Sequence, residues 1–454
     1  MPSPATLAEF VALVQRSALV PSERLDALLR ALPATLSDPR QFADIAVRER
    51  LLTNFQAEQL LQGKWKGFTI GKYRVLERIG IGGMGQVYLC EHERMRRRVA
   101  VKVLPSAALN EPGTLERFER EARLAAALDH PNIVRAYDLD QEGRMHFLVM
   151  EYIDGPTLHD LVRVNGQLPV ARAVHYVREA AIGLQHAFEA GLVHRDIKPA
   201  NILVDRSGVV KLLDLGLARL KNDEIDQLTR QYDDNNVLGT ADFVAPEQTR
   251  DSHNVDIRAD IYGLGATLYF CLAGQPPFAD GTPAQKLIWH QSRVPESVRK
   301  LRPDLPLGLV AVVEKMMAKQ PERRFQTPAE VAHALAPWTQ QPVAPPSAAE
   351  LPTLSPAAAT AGLPSVPIVS AAPPSVATPP SVAVPPSNNP FVGPAPANFP
   401  IYTPLPPKRP WTGGSVATVV VILTGVAFGV FGGWWLTSHR SGRPTDGPKS
   451  SIRK

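Results

Sequence analysis

Gly80-Ile81-Gly82-Gly83-Met84-Gly85-Gln86-Val87 sets glycines in the pattern GxGxxGxV between two runs that read as strands, Tyr73 to Ile79 and Val87 to Glu91. Glycines leave the backbone N–H groups unobstructed, so a hairpin of this kind can close over nucleotide phosphates that side chains would keep away. A dinucleotide-binding fold would place a helix directly after its glycine turn, and Val87-Tyr88-Leu89-Cys90 does not favour one. Fifteen residues after Val87 comes Lys102, in Val99-Ala100-Val101-Lys102, where period-two alternation aims it at the same phosphates. The segment Leu115 to Leu128 reads as a helix and carries Glu121 on a face with Phe118 and Leu128, so a Lys102–Glu121 ion pair would hold the ammonium in place.

Further along lies His194-Arg195-Asp196-Ile197-Lys198-Pro199-Ala200-Asn201, then the strand-like Ile202-Leu203-Val204, then Asp214-Leu215-Gly216. Together with the glycines and Lys102, this ordered set resembles the protein kinase superfamily. The resemblance covers roughly residues 73–335 and takes in Ala245-Pro246-Glu247, Asp260 within Ala259-Asp260-Ile261-Tyr262-Gly263, and Arg324 after Pro321. It implies an α+β fold of two lobes, a small β-rich N-lobe and a larger helical C-lobe, that transfers the γ-phosphate of ATP to Ser or Thr hydroxyls of proteins.

Within the resemblance, Asp196 accepts the proton of the substrate hydroxyl, Lys198 stands near the γ-phosphate, and Asn201 and Asp214 hold Mg²⁺, with Mn²⁺ as an alternative. Ile79, Gly80, Gly82, Gly83, Gly85, Val87 and Lys102 enclose the nucleotide. Met150 lines the back of the adenine pocket, and Glu151-Tyr152-Ile153 is the hinge. A lysine at position 198 and Thr240 in Gly239-Thr240 are features of serine/threonine kinases rather than tyrosine kinases. Leu215 replaces the family's usual Phe and keeps that position apolar. The alternative is a pseudokinase scaffold, whose signature would be loss of Lys102, Asp196, Asn201 or Asp214, and none of them is lost. Gly-Gly-Met-Gly in the loop and His130-Pro131-Asn132-Ile133-Val134 make the chain similar to bacterial kinases of eukaryotic type, many of which are single-pass membrane proteins with a cytosolic kinase.

The elements around this set divide by composition. Residues 1–67 are helical in pattern: Leu25, Leu28, Leu29 and Leu32 fall on one face after Pro21, and Thr53 with Gln56 has the spacing of a capping box. That region is expected to form a small helical bundle, packed on itself or on the next domain. From residue 341 to 410 Pro, Ala, Ser and Val dominate, and up to Pro407 the only charged residue is Glu350. Such a composition predicts a disordered, extended, semi-rigid linker. Ser415 to Thr437 is 23 residues without a charge, flanked by Trp411 and ending near Trp434 and Trp435, which predicts one transmembrane helix before a short basic tail, residues 438–454. Gly425, Gly429 and Gly433 stack on one face of that helix, so a homodimer could form through them.

A net charge of +5 with 20% charged residues gives no argument for nucleic acid as a partner. Cys90 and Cys271 have no close cysteine neighbour, which excludes a disulfide scaffold and fits a reducing compartment. Met1 to Val20 carries Glu9 inside its apolar stretch and lacks the basic start of a signal peptide. The expected location is therefore the cell membrane, with the kinase domain on the cytosolic side.

Overall fold

The computed structural model describes residues 3–33, 35–82, 85–104, 114–214, 241–250 and 255–361. It divides into two units, residues 1–368 and 369–454, and the second lies wholly outside the described residues.

The chain opens with four helices, α1 (Leu7–Ser17), α2 (Ser22–Ala31), α3 (Pro39–Arg48) and α4 (Asn54–Leu61). They share a core of their own that includes Phe10, Val14, Leu25, Phe42 and Leu60. The capping box expected at Thr53 is present, with Thr53 Oγ1 accepting from Gln56 N and Gln56 Oε1 accepting from Thr53 N at 3.0 Å.

A six-stranded antiparallel sheet follows, in the order β1-β2-β3-β4-β6-β5: β1 (Thr69–Ile70), β2 (Tyr73–Gly82), β3 (Gly85–His92), β4 (Arg98–Val103), β5 (Ala136–Glu142) and β6 (Met145–Glu151). Between β4 and β5, α5 (Thr114–Ala126) lays Phe118 and Ala122 against Ala100, Leu104, Leu148 and Met150. The register of β2 on β3 shifts at Leu76, a bulge that locally disrupts the ladder. There the helical region docks: Thr53 Oγ1 donates to Leu76 O, and Gln56 Nε2 donates to Val75 O at 2.8 Å. The caps that start α4 thus also satisfy backbone carbonyls of the sheet.

The larger lobe holds α6 (Leu158–Asn165), α7 (Val170–Glu189), the hairpin β7 (Ile202–Val204) and β8 (Val210–Leu212), then α8 (Ile257–Ala273), α9 (Pro283–Ser292), α10 (Val298–Leu301), α11 (Leu307–Met316) and α12 (Pro328–Leu335). Every residue of α8 from Ala259 to Ala273 is buried, as expected of a helix apolar on all sides at the centre of a core. Asp260, charged within that run, must find its partners inside the protein. Gly263 lets the loop that carries Ile197 lie against α8, since a Cβ there would stand 2.6 Å from Ile197 O.

One sequence expectation changes here. The linker does not begin at Gln341, because residues 341–361 pack on the body and include α13 (Pro356–Thr360), with Ser355 and Ala358 buried. Proline removes hydrogen-bond donors but does not stop apolar side chains from burying, and the single acid Glu350 finds a cation. The expected membrane span is not changed by the described residues. Among them no helix is long and apolar enough to cross a membrane, and the expected span, its glycine face and the basic tail lie outside them.

Candidate active site

The loop between α7 and β7 carries Asp196, and its shape is imposed from beneath. Asp260 accepts from His194 N through Oδ2 at 2.7 Å and from Arg195 N through Oδ1 at 2.6 Å. These two bonds help hold Arg195 at φ 65°, in the left-handed region that a branched-chain or long side chain seldom enters. Gln248, just after Ala245-Pro246-Glu247, donates to Arg195 O at 2.7 Å. His194 is fully buried, with Nε2 2.7 Å from Leu213 O and Nδ1 accepting from Asp196 N at 3.3 Å. The histidine therefore ties the Asp196 loop to the strand end that leads into Asp214.

Asp196 meets Lys198 Nζ at 3.0 Å, and Asn201 Nδ2 donates to Asp196 O at 2.7 Å and to Oδ2 at 3.2 Å. Asp214 stands at φ 57° with its Oδ1 2.7 Å from Lys102 Nζ. Burial opposes the ionisation of Asp214, yet the charge and hydrogen bond of Lys102 outweigh it and hold the carboxyl below its ordinary value. Lys102 is 4% exposed and projects from β4, opposite Val87 on β3 and Leu148 on β6. The two lobes thus bring Lys102 from the sheet to Asp214 from below it. Glu121 falls within α5, but its side chain lies outside the described residues, and the expected Lys102–Glu121 pair with it.

Across the sheet, Val87, Ala100 and Met150 belong to one apolar cluster, with Met150 directly opposite Ala100. Glu151 ends β6 and pairs with Lys211 at 3.0 Å, and Tyr152 and Ile153 continue towards α6. Ile79 and Gly80 lie on β2 with Gly80 opposite Val87, while Gly82 and Gly85 are partners at the hairpin end and Gly85 takes φ 116°, a conformation open to glycine. Gly83, Leu215, Gly216 and Thr240 lie outside the described residues.

The donor set suits a hard divalent cation. Asn201 commits its amide nitrogen to Asp196, which leaves the amide oxygen as a ligand, and Asp214 is kept as a carboxylate. Asn201 and Asp214 are few ligands, as expected for Mg²⁺, which keeps water and takes its other oxygens from phosphates.

Farther from the cleft, Arg324 has a side chain closed to solvent and binds Glu247 with both nitrogens, at 2.6 and 2.8 Å. Sequence reading missed the groups around it. Tyr262 donates to His290 Nδ1 at 2.8 Å, and His290 Nε2 reaches Asp242 O at 3.0 Å, which anchors the chain just before Phe243. An isolated histidine on a short amphipathic helix offered no motif.

A protein kinase domain model matches residues 73–336, over half of the chain, and the chain belongs to that family. Serine/threonine-protein kinase PknB of Mycolicibacterium smegmatis is 39% identical over 264 residues, which cover 57% of this chain and 42% of that protein. PknB of Mycobacterium tuberculosis is 40% identical over 266 residues, with the same shares. Serine/threonine-protein kinase pkn2 of Myxococcus xanthus is 37% identical over 271 residues, covering 59% of this chain and 32% of that one. The chain therefore spans less than half the length of these relatives.

Proposed function

We propose that this chain is a serine/threonine protein kinase that transfers the γ-phosphate of ATP to Ser and Thr hydroxyls of proteins. The observation that carries the reading is the grouping of Asp196, Lys198 and Asn201 beneath the Lys102–Asp214 pair, at the junction of the sheet and the helical lobe.

In this reading Val87, Ala100 and Met150 receive the adenine, and the hinge Glu151-Tyr152-Ile153 supplies backbone groups at its edge. Ile79 and the glycines at 80, 82, 83 and 85 cover the phosphates, and Lys102 neutralises charge on the α- and β-phosphates, positioned by Glu121. Asp196 orients the substrate hydroxyl and accepts its proton as the oxygen attacks the γ-phosphorus. Lys198, 3.0 Å from Asp196, offers its ammonium to the transferring phosphoryl group. Asn201 and Asp214 would hold Mg²⁺, which offsets the negative charge of the phosphates when bound. Retention of all these groups supports catalysis over a pseudokinase scaffold.

The same reading places the chain in the cell membrane through Ser415–Thr437, with the kinase in the cytosol and two copies able to meet through Gly425, Gly429 and Gly433. PknB relatives bear the name of serine/threonine kinases, which supports the choice of hydroxyl.

The test is incubation of the full chain with labelled ATP and Mg²⁺ beside Asp196→Asn, followed by phosphoamino-acid analysis. Label on Ser and Thr is expected, and the variant should lose about 10²- to 10⁴-fold in rate, the usual worth of a general base. Equal labelling by both proteins, or label on Tyr alone, would sink the reading.

A further inference from the structure

Residues 341–361 leave the helical lobe, cross the level of the hinge and end on the sheet and the N-terminal helices. At the lower end Val343 packs on the core of the helical lobe, and Pro345 lies over Gly208 in the β7–β8 turn. Glu350 is the anchor. Its side chain is 6% exposed, and it accepts from Arg172 Nη1 at 2.7 Å and Nη2 at 3.2 Å, from Asn165 Nδ2 at 2.7 Å, and from Ser347 N at 2.7 Å. It thereby joins α6 and α7. The upper end is a second anchor: Ser355 Oγ donates to Glu77 Oε1 at 2.5 Å, and Ala358 is fully buried against Leu76 and Leu89. The other oxygen of Glu77 accepts from Phe55 N at 3.2 Å, so one carboxylate on β2 receives both this segment and the start of α4.

Two further observations bear on the cleft. Tyr152 of the hinge packs both on the cluster that holds Met150 and Ala100 and on the cluster that holds Ala358 and Leu354. Leu89 is paired with Ala100, which in turn is paired with Met150, so the upper anchor sits on the strands that roof the cleft. Only five residue steps separate Glu350 from Ser355, and an extended chain spans at most about 3.6 Å per step, so the distance between the two anchors has a short upper bound beyond which one must let go.

We propose that residues 341–361 are a clasp that ties the two lobes together beside the hinge and limits how far the nucleotide cleft opens. The proposal rests on reading that cleft as the ATP site. Both of its ends hold by interactions of low exposure, and neither end is part of the reacting set. With the clasp closed, the lobes are preorganised for nucleotide. Release of either anchor lets the open state gain population and weakens apparent ATP affinity by the fraction of closed protein lost. The N-terminal helices share the Glu77 junction, so displacement of that bundle would act on the clasp as well.

The test uses the full chain with Glu350→Gln at the lower anchor, Ala358→Arg at the upper one, and both together, with Ser355→Ala as a milder upper variant. Hydrogen exchange of residues 341–361 reports release, and titration with a fluorescent ATP analogue reports nucleotide affinity apart from phosphate transfer. Each single variant is expected to raise exchange in the segment and to weaken affinity about 3- to 10-fold. The double variant should be no weaker than the weaker single, because either release opens the same clasp. Raised exchange with unchanged affinity would overturn the proposal, as would losses that multiply in the double variant. An unmutated chain that binds nucleotide but transfers no phosphate would instead overturn the kinase reading and leave the clasp standing.

Discussion

Asp260 and Glu350 are both acids withdrawn from solvent that gather donors from distant parts of the chain, yet their surroundings push them in opposite directions. Asp260 receives two backbone N–H groups from His194 and Arg195 inside an apolar helix packing. Burial dominates there and pushes the carboxyl up to about 6, against the pull of His194 and the two N–H groups. Glu350 faces the Arg172 guanidinium with both oxygens, and that hydrogen bond, joined by Ser347 and Asn165, draws it down to about 2 against the cost of burial. Burial outweighs the favourable partners of Asp260, whereas at Glu350 the guanidinium held through both oxygens outweighs burial. Asp260 shapes a loop that must keep one conformation. Glu350 holds a segment that can be released into water along with its charge.

The sharpest way to break this contrast is to remove Asp260. Asp260→Ala leaves two buried N–H groups without an acceptor, which costs about 1–3 kcal/mol for each, and lets Arg195 relax from its left-handed conformation. Phosphate transfer should fall further than nucleotide affinity, because the displaced group is Asp196. Asp260→Asn, which keeps one acceptor, should recover part of both losses. Unfolding by urea and single-turnover transfer measure the two effects, and an Asp260→Ala chain with unaltered transfer would mean that the loop does not depend on its anchor.

A smaller effect belongs to the docked helical region, which uses neutral groups for a similar purpose. Gln56 is 4% exposed, and its amide nitrogen serves Val75 O at the bulge while its oxygen caps α4. Gln56→Ala should cost about 1–2 kcal/mol through one cap and one carbonyl left bare. Exchange of α4 and β2 amides should rise while transfer from ATP stays near the parent's. Loss of transfer comparable to that of Asp260→Ala would place the bundle in control of the loop and erase the distinction between the two anchors.

These regions differ also in how far the sequence announces them. Asp196, Asn201, Asp214 and Lys102 stand at fixed intervals in a recognisable order, and the structure brings them to one cleft. Thr53 and Gln56 are legible as a helix start because capping is local. Their second task is not legible, since nothing in residues 53–56 tells that β2 will bulge at Leu76. The segment 341–361 was hidden by its own composition: proline and alanine suggest a spacer, and the informative residue was Glu350, the lone charge there. Its partner Arg172 is 178 residues away, a pairing that only the folded topology specifies. Periodicity found α2 for the converse reason, that its apolar positions repeat within a few residues.

The test that most directly separates the two acids is pH, because acidification should move them in opposite senses. Asp260 begins from 3.8 in the unfolded chain and rises to about 6 on folding, so its contribution to stability is full below 3.8 and is lost as pH rises through 6. Glu350 begins from 4.5 and falls to about 2, so its contribution is full above 4.5 and is lost as pH falls towards 2. Urea unfolding of the full chain and of the Asp260→Asn and Glu350→Gln variants, from pH 7 to pH 3.5, measures both. From pH 7 to 4 the parent should gain stability relative to Asp260→Asn. Relative to Glu350→Gln it should hold steady down to pH 4.5 and then begin to lose. Parallel pH slopes for the two differences would show that Arg172 supplies no more than the backbone dipoles do, and the contrast between a rigid anchor and a releasable one would then need another cause.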